Sequence, residues 1–413
     1  MSTIRDPSLA PSGRKKIRWA YAYMPALREI GKEFAQTRPL EGLRVAMSIH
    51  LEAKTANMAL MLKKSGAEVF ITGCNPLSTQ DDVCAALAET GMAVHAAHGC
   101  GPEEYEAHLS SVLACNPHLV LDDGGDLTEL LHGKCTQNGG NLRGITEETT
   151  TGVLRLRNRA ARKELRFPAM AVNDAEMKHL FDNRYGTGQS TWDAILHTTN
   201  LQICGKCVVV AGYGWCGRGV AMRAKGLGAD VIVTEINPVK AIEAVCDGMR
   251  VMTMDQAAPL GDFFITVTGC KDVIVARHFE RMKDGAVLCN TGHFDVEVNI
   301  KELAALSAER FEQRKNIAGY RMADGRVLNL LAEGRLVNLA AGNGHPVEIM
   351  DMSFAVQALA LRHMAVNGSG MEPGVYQVPE EIDAAVSGYK LRAIGVDIDT
   401  LTPEQKAYYY NHP

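Results

Sequence analysis

The sequence predicts an α/β protein made of two Rossmann-like domains, each with a parallel sheet, followed by a short C-terminal tail. Apolar strand patterns alternate with helical patterns along most of the chain, and a glycine-rich strand–turn–helix unit stands near its middle. With 413 residues, of which 46% are hydrophobic and 22% charged, the chain is long enough for two or three ordinary globular domains. Because helical crossovers join parallel strands, the alternation predicts parallel sheets in both halves.

The first half supplies one set of these alternating elements. Strands and helices are predicted in turn at Leu43–Ile49, Ala53–Lys64, Ala67–Thr72, Thr79–Glu89 and Leu119–Asp122. Helical patterns at Glu148–Glu164 and Ser190–Gln202 then lead into the glycine-rich unit. The first half is therefore expected to form a sheet of its own.

The glycine-rich unit predicts a bound dinucleotide. The apolar strand Val208–Ala211 runs directly into a G-x-G-x-x-G pattern formed by Gly212, Gly214 and Gly217, and a helix follows at Arg218–Leu227. The first glycine permits a tight turn, and the second lets a pyrophosphate approach the backbone. The third lets the helix pack closely, with its N-terminal amides toward the phosphates. In the plainer reading the glycines only turn a strand into a helix.

The next strand indicates which dinucleotide is bound. It covers Val231–Glu235 and ends in an acid, Glu235, at the place where such units hold a ribose diol. A carboxylate repels the 2′-phosphate of NADP, so the pattern favours NAD. Lys240 lies nearby and weakens that preference slightly.

The remaining elements divide the chain into domains. Strands at Asp262–Thr268 and Ala286–Asn290 and a hairpin-like segment at Arg326–Leu339 continue the dinucleotide unit. A Met- and Ala-rich helix at Val347–Met364 then returns the chain to the first domain. We therefore expect a substrate-binding domain at 1–186 and 346–385, an NAD-binding domain at 187–345, and an oligomerisation tail at 386–413.

Composition argues against several classes of partner. The net charge of -5 and the pI near 6.2 provide no basic surface for nucleic acid. No apolar run approaches 18 residues, and the basic start of the chain lacks the apolar core of a signal peptide, so we expect a cytoplasmic protein without a membrane partner. The 11 cysteines are scattered, which suits reduced thiols, and the C-x-x-C pattern Cys204–Cys207 has no second pair. No metal cofactor is expected.

Polar segments stand at many predicted strand ends, where open α/β sheets bind ligands. They are His50–Thr55, Asp122–Asp126, Glu147–Gly152, Asn173–Asp174, Lys178, Phe181–Asn183, Asn290–His293, and Asn338 with Gly344–His345. Taken singly, each reads equally well as a turn or a helix start. Their combination, from about Leu43 to Met364, resembles the adenosylhomocysteinases, the S-adenosylhomocysteine hydrolase family. The segments that resemble the family's signatures are Asp122–Thr128, Glu147–Gly152, Phe181–Asn183, Ala211–Gly214, Thr234–Ile236, Cys289–Asn290, Gly292–Glu297 and Leu331–Asn338.

This resemblance implies a hydrolase in which NAD is recycled. Bound NAD oxidises the ribose 3′-hydroxyl of an S-nucleosyl-L-homocysteine to a ketone, which acidifies the 4′-hydrogen so that the 5′-thioether is eliminated. Water then adds and the ketone is reduced again, giving nucleoside and L-homocysteine. The same resemblance implies tightly bound NAD and a homotetramer.

The resemblance also assigns roles to single residues. Lys178, with a lowered pKa, would take the 3′-hydroxyl proton beside Asp182, and Asn183 would orient both and also contact NAD. The groups around C4′ and C5′ would be His50, Asp123 and His293. Substrate contacts would come from Glu52, Lys54, Thr55, Glu148 and His345. Further NAD contacts would come from Thr149, Thr150, Thr151, Gly212, Gly214, Gly217, Glu235, Lys240, Asn290 and Asn338.

The chain departs from the family's H-x-T-x-E-T pattern at the first histidine, because Glu52 replaces threonine and Lys54 replaces glutamate. In an extended segment both would point with His50 toward the base. A carboxylate only accepts and an ammonium only donates, so Glu52 to N1–H and Lys54 to O6 match hypoxanthine. The pair resembles the S-inosylhomocysteine-cleaving variant of the family. In the alternative the two side chains pair with each other, Glu52 accepts from adenine's amino group, and the substrate is S-adenosyl-L-homocysteine.

Two further departures and two rival functions complete the prediction. Thr187 stands where many relatives have a cysteine near the nicotinamide. The lysine- and tyrosine-bearing extension of many relatives is missing after Tyr408–Tyr410, which leaves NAD contacts between subunits open.

One rival function is that of a 2-hydroxyacid-type NAD dehydrogenase, which has similar domains. The other is an inactive NAD-binding regulatory subunit, whose signature would be loss of the Lys178/Asp182 or His50/His293 set.

Overall fold

The computed structural model describes residues 2–410 and contains two eight-stranded sheets. All neighbouring strands of the first sheet are parallel. In spatial order they are Thr3–Ile4, Ala93–Ala96, Glu68–Thr72, Arg44–Ser48, Leu119–Asp122, Gly144–Glu147, Pro168–Ala171 and Gly374–Gln377. Because Gly374–Gln377 pairs with Pro168–Ala171, the end of the chain returns to the first sheet.

The second sheet is parallel except at one edge, where the last two strands are antiparallel. In spatial order its strands are Arg250–Val251, Asp230–Thr234, Cys207–Ala211, Phe263–Thr266, Val287–Asn290, Val327–Leu331, Ile317–Met322 and Ser307–Arg314. Both sheets therefore confirm the predicted α/β class with two Rossmann-like units.

Helices connect these strands and pack on both sheets. The α-helices of the first unit are Ala10–Ala22, Pro25–Thr37, Ala53–Lys64, Asp81–Glu89, Pro102–Leu113, Asp126–His132, Thr150–Ala161, Glu176–Lys178, Val347–Asn367 and Glu380–Ala393. Those of the second unit and the tail are Thr187–Thr199, Trp215–Gly226, Pro238–Cys246, Met254–Ala257, Ala276–Phe279, Ile300–Leu306, Val337–Ala340 and Pro403–Tyr410. A π-helix covers His179–Gly186, and five 3-10 turns lie at Pro7–Leu9, Thr136–Gly139, Val172–Asp174, Ala332–Gly334 and Gly368–Gly370.

Most predicted elements are present, with ends that differ by a few residues. The helix Ala53–Lys64 and the strand Leu119–Asp122 have the predicted bounds. The hairpin predicted at Arg326–Leu339 is wrong, because only Val327–Leu331 is a strand there and it pairs with the preceding Ile317–Met322. Ala332 and Glu333 have positive φ angles of 49° and 55°, and this left-handed backbone turns the chain out of the sheet.

The helix Val347–Asn367 lies at the centre of the first unit. It has 21 residues and is buried over most of its surface, in contact with the sheet and with the N-terminal helices. A helix that is apolar all round belongs in a core, yet this one carries the fully buried polar residues Asp351, Ser353 and Gln357. Each of these side chains therefore needs a partner.

Asp351 attaches the N-terminal part of the chain to this helix. Its carboxylate accepts hydrogen bonds from the backbone N–H groups of Ala26 (3.2 Å) and Leu27 (2.9 Å), at the start of the helix Pro25–Thr37. The ammonium of Lys390 lies 3.2 Å from the same carboxylate. A negative group at a helix N-terminus is stabilised by the amides that the helix leaves unpaired.

The predicted domain division remains a proposal. The two sheets lie where it expects them, and the helix Glu380–Ala393 runs across the proposed boundary between 385 and 386. The last three residues of the predicted tail lie outside the described residues. Within residues 2–410, no helix has both the length and the apolar character needed to cross a bilayer.

Replacing Asp351 by alanine should lower the free energy of unfolding by about 2–4 kcal/mol, because two buried N–H groups and the Lys390 ammonium lose their partner. The change is read as a lower thermal midpoint at fixed chain and NAD concentrations. Glu348→Ala, on the same helix but exposed, is the control and should stay within about 0.5 kcal/mol. Equal midpoints for the two variants would contradict the assigned role of Asp351.

Candidate active site

The strand order brings the predicted site residues to one edge of each sheet. In the first sheet the order reverses between Arg44–Ser48 and Leu119–Asp122, which lie side by side although a long stretch of chain separates them. His50 follows the first of these strands and Asp123 follows the second. Ligands of open α/β sheets bind at such a switch point, beyond the carboxyl ends of the strands.

His50 is held in one tautomer by Ser78. The Ser78 hydroxyl donates to the backbone carbonyl of Asn75 (3.0 Å), so it accepts from the Nδ1–H of His50 (2.7 Å). The Nε2 atom therefore carries the lone pair, and it lies 3.7 Å from Oδ2 of Asp123. Burial lowers the pKa of His50 to about 4, although Asp123 acts in the opposite direction, so the ring is neutral at pH 7.

His293 reaches this cluster from the second unit. Its ring centroid is 6.2 Å from that of His50. A Cβ atom at Gly124, where φ is +105°, would lie 2.6 Å from His293 Nε2, so only glycine allows this approach. Asn290 fixes the loop, because its amide group donates to the carbonyls of Gly292 (3.1 Å) and Phe294 (2.8 Å).

Lys178 stands at the start of a second cluster, immediately before the π-helix His179–Gly186. Its ammonium lies 3.2 Å from Asp182 and donates to the side-chain oxygen of Asn183 (2.7 Å). A π-helix bonds residue i to i+5, so the wider turn lets positions four and five residues on both face Lys178. Asn183 in turn donates to Asn173 (2.9 Å).

The pKa of Lys178 is raised, which corrects the expectation of a lowered value. Burial alone would lower it, but the carboxylates of Asp182 and Glu148, 3.2 Å and 3.7 Å from the ammonium, outweigh burial. Asp182 shows the reciprocal effect: burial would raise its pKa, and Lys178 and His345 lower it. In the protein alone, Lys178 is therefore an ammonium paired with a carboxylate.

The long helix completes this cluster through residues that the sequence reasoning missed. Ser353 donates to Asp182 (2.9 Å), and Gln357 donates to Glu148 (2.6 Å). The sequence contains a signal for them, because two polar residues four positions apart on an otherwise apolar helix share one face and therefore indicate a common polar contact. His345, just before this helix, contacts Asp182 through Nδ1.

Glu148 has one carboxylate oxygen that accepts no hydrogen bond and is paired only with the Lys178 ammonium, 3.7 Å away. Oε1 is buried and accepts no hydrogen bond, whereas Oε2 is held by Gln357. Burial raises the pKa of Glu148 to about 8, with Lys178 acting in the opposite direction. A buried polar atom without a hydrogen bond is rare in folded proteins, and Glu148 is one of the residues predicted to contact the substrate.

Glu52 and Lys54 do not lie in an extended segment, as the sequence reasoning assumed. The helix begins at Ala53, and Glu52 is its N-cap, accepting from the backbone N–H of Lys54 (3.0 Å). The Lys54 ammonium lies 3.3 Å from Oε2 of Glu52 and donates to the backbone carbonyl of Asn343 (3.1 Å). The Thr55 hydroxyl is used within the protein, donating to the carbonyl of His50 (2.6 Å).

The glycine-rich loop has the geometry that a dinucleotide requires. Gly212 has φ +104°, and a Cβ at Gly217 would lie 2.0 Å from the Gly212 carbonyl oxygen. A Cβ at Gly214 would have Lys240 Nζ as its nearest neighbour, at 3.9 Å, so this backbone is open to a pyrophosphate. Glu235, at the end of the next strand, accepts from the backbone N–H of Tyr213 (2.7 Å).

The other residues predicted to bind NAD differ in whether their side chains already have hydrogen-bond partners within the protein. Asn338 donates to Ser190 (3.0 Å), and its buried Oδ1 has no partner, which fits a donor on the cofactor. Asn290 is engaged within its own loop. Thr149 is the N-cap position of the helix that contains Thr150 and Thr151, and Thr150 donates to Asn173 (3.2 Å). The residues present therefore fit NAD.

Comparison with known proteins agrees with this geometry. Residues 1–139 match the family model described as S-adenosyl-L-homocysteine hydrolase, and residues 183–344 match the model of its NAD binding domain. An S-inosyl-L-homocysteine hydrolase of Methanopyrus kandleri is 53% identical over 406 residues, covering 98% of this chain and 96% of that protein. An adenosylhomocysteinase of Pyrococcus abyssi is 53% identical over 405 residues, with the same coverage of 98% and 96%.

These matches extend over nearly the whole chain, and they include the unit that carries the glycine-rich loop. They favour a hydrolase over a 2-hydroxyacid-type dehydrogenase, which shares only the general domain types. The protein belongs to the S-adenosyl-L-homocysteine hydrolase family, with NAD as its cofactor.

Proposed function

We propose that this protein hydrolyses S-inosyl-L-homocysteine to inosine and L-homocysteine through a 3′-keto intermediate. The observation that carries the choice of base is the buried Glu52–Lys54 pair at the start of the helix Ala53–Lys64. The alternative is S-adenosyl-L-homocysteine, since relatives with either name are about equally similar to this chain.

The choice between hypoxanthine and adenine depends on whether the side chains at positions 52 and 54 donate or accept hydrogen bonds. In the family pattern, threonine at position 52 donates to N1 of adenine and glutamate at position 54 accepts from its 6-amino group. With Glu52 and Lys54 the polarity of both positions is reversed, so they match N1–H and O6 of hypoxanthine. The ammonium has three donors, of which one is used by Asn343 and one is directed at Glu52. The third is available for O6.

The ion pair does not prevent Glu52 from binding a base. Both of its contacts, to the backbone N–H and to the ammonium of Lys54, use Oε2, which leaves Oε1 for an N1–H group. Adenine would have to place its amino group against Glu52 and N1 against Lys54, which exchanges the two positions along its edge. A mismatched buried polar edge costs about 1–3 kcal/mol per group, which corresponds to roughly ten- to hundredfold discrimination.

NAD, when bound, supplies the acceptor and donor of hydride at C3′. The protein must move the 3′-hydroxyl proton, and Lys178 accepts it only after losing its own proton. Glu148 suits that exchange when it is ionised, because burial raises its pKa to about 8 and its Oε1 lies 3.7 Å from the ammonium and accepts no hydrogen bond. We infer that a proton passes from Lys178 to Glu148, and that the neutral amine then takes the substrate proton. Asp182 and Asn183 keep the amine in position.

His50, Asp123 and His293 would handle the 4′-proton, the departing sulfur and the entering water. Neutral His50 has an Nε2 lone pair that can accept a proton, as a general base must. Ser78 prevents ring rotation that would exchange the two nitrogens. His293 belongs to the second unit, so this part of the site is complete only when the two units are close together.

We also propose a homotetramer in which the C-terminal tail lies at a contact between subunits. The tail exposes apolar side chains that a lone chain would leave in water, among them Ile394 (57% exposed), Ile398 (69%) and Tyr409 (71%). A second exposed apolar face, on the helix Pro238–Cys246, includes Val239 (73% exposed). Association of such faces between copies would bury both of them.

Lys178→Ala and Lys178→Arg should both retain NAD yet reduce it with nucleoside at least about a thousandfold more slowly, because neither side chain can accept the 3′-hydroxyl proton. Arginine keeps the positive charge beside Asp182 and so separates loss of the base from loss of the ion pair. The rate is followed by the absorbance of reduced nicotinamide, and NAD content is measured after denaturation. Lys64→Ala, at the exposed end of a helix, is the control. Normal cofactor reduction in Lys178→Arg would refute the assigned proton path.

The wild-type enzyme should release homocysteine from S-inosyl-L-homocysteine with a kcat/KM at least about tenfold above that for the adenosyl compound. Restoring the family pattern with Glu52→Thr and Lys54→Glu together should reverse this preference. Thiol release is measured with both substrates under identical conditions, and Lys63→Gln, which changes the net charge by the same amount as the double variant, serves as the control. A wild-type preference for the adenosyl compound would establish the alternative substrate.

A chain ending at Ala393 should sediment as species smaller than a tetramer, because the exposed apolar tail is removed. Analytical ultracentrifugation at several protein concentrations measures the change. Lys406→Ala alters an exposed polar residue of the same tail and should leave the mass unchanged. If the shortened chain remains tetrameric, the tail is not the contact.

A further inference from the structure

We propose that His50, Cys74 and Asp123 form a binding site for a zinc-type divalent cation, and that occupation of this site stops catalysis. One ligand atom from each residue lies within 4.8 Å of the other two. Oδ2 of Asp123 is 3.7 Å from His50 Nε2 and 3.5 Å from Cys74 Sγ. Such an ion would be an inhibitor, and the reaction proposed above does not require it.

These separations suit a tetrahedral zinc ion. Zinc binds histidine nitrogen and carboxylate oxygen at about 2.0–2.2 Å and thiolate sulfur at about 2.3 Å, so its ligand atoms stand about 3.3–3.7 Å apart. The two measured contacts of Asp123 fall in this range, and the third separation, between His50 and Cys74, is at most 4.8 Å, so these two ligands would move closer together to enclose an ion. Three protein ligands leave a fourth position for water.

The protonation states favour a cation as well. His50 directs the Nε2 lone pair at the carboxylate of Asp123, so two acceptors face each other across a gap too long for a direct hydrogen bond. The Ser78 hydroxyl fixes the other ring nitrogen, as the outer partners of metal-bound histidines do. An ion between the two acceptors would remove their repulsion.

Cys74 supplies the preference for a soft or borderline metal. Its thiol donates to Asp123 (3.5 Å) and therefore carries its proton. Binding therefore breaks the S–H bond, forms a metal–thiolate bond and releases one proton to solvent. Thiolate and imidazole together select zinc over magnesium or calcium, which prefer oxygen.

The effect on catalysis rests on the proposed function, whereas the binding of metal does not. An ion on Nε2 and Oδ2 occupies the atoms that we assign to proton transfer at C4′ and C5′. The site includes neither the Glu52–Lys54 pair nor the glycine-rich loop, so inhibition should be the same for either nucleoside and should leave NAD in place.

The test titrates the NAD-bound enzyme with CoCl₂ alone and with ZnCl₂ during turnover. Wild type should bind one Co²⁺ per chain with a thiolate-to-metal charge-transfer band, and Zn²⁺ should inhibit homocysteine release. Cys74→Ser keeps a hydroxyl donor for Asp123 but loses the soft ligand. It should lack the band and need at least about tenfold more Zn²⁺ for half-inhibition relative to its own uninhibited rate. Cys115→Ser, a half-buried cysteine outside the cluster, should behave like wild type.

The possible results distinguish the metal site itself from its effect on catalysis. A charge-transfer band or unchanged zinc sensitivity in Cys74→Ser would overturn the site, and a band in wild type without inhibition would overturn the catalytic effect. Asp123→Asn, examined only by Co²⁺ binding, provides a second variant if Cys74→Ser fails to fold, and it should bind at least about tenfold more weakly. Because Co²⁺ binding needs no substrate, a wild type that binds cobalt but cleaves neither nucleoside would refute the proposed function and leave the metal site standing.

Discussion

The ion pair between Lys178 and Asp182 is the interaction on which the rest of the site depends. A buried charge is tolerated only with a partner, and this pair recruits Glu148, Asn183 and His345 around it. Through Asp182 and Glu148 it reaches Ser353 and Gln357 on the central helix. A π-helix, an apolar core helix and the loop before it are therefore fixed relative to one another by one group of charges.

Much of the fold was predictable because it depends on local patterns. Alternating elements indicated two parallel sheets, and the rule that strand ends gather ligands brought His50 and Asp123 together correctly. The hairpin at Arg326–Leu339 was wrong because the turn depends on two residues with left-handed backbone, Ala332 and Glu333, which no strand pattern indicates. The family resemblance supplied roles for residues, which periodicity cannot.

The electrostatics of the site were less predictable, because they depend on contacts between distant parts of the chain. The pKa of Lys178 was expected to be lowered by burial, and its direction is reversed by two carboxylates whose distances only the folded chain sets. Similarly, the bond from Lys54 to Asn343 joins positions 289 residues apart. That bond means that the residue proposed to recognise the base also holds the loop before His345.

The central helix serves two purposes on consecutive turns. Asp351 binds the start of the helix Pro25–Thr37. Within the next two turns, Ser353 and Gln357 hold the carboxylates of the site. A rotation or slide of this helix too small to unfold the protein would still misplace those carboxylates. Activity should therefore be lost before structure as the molecule is warmed.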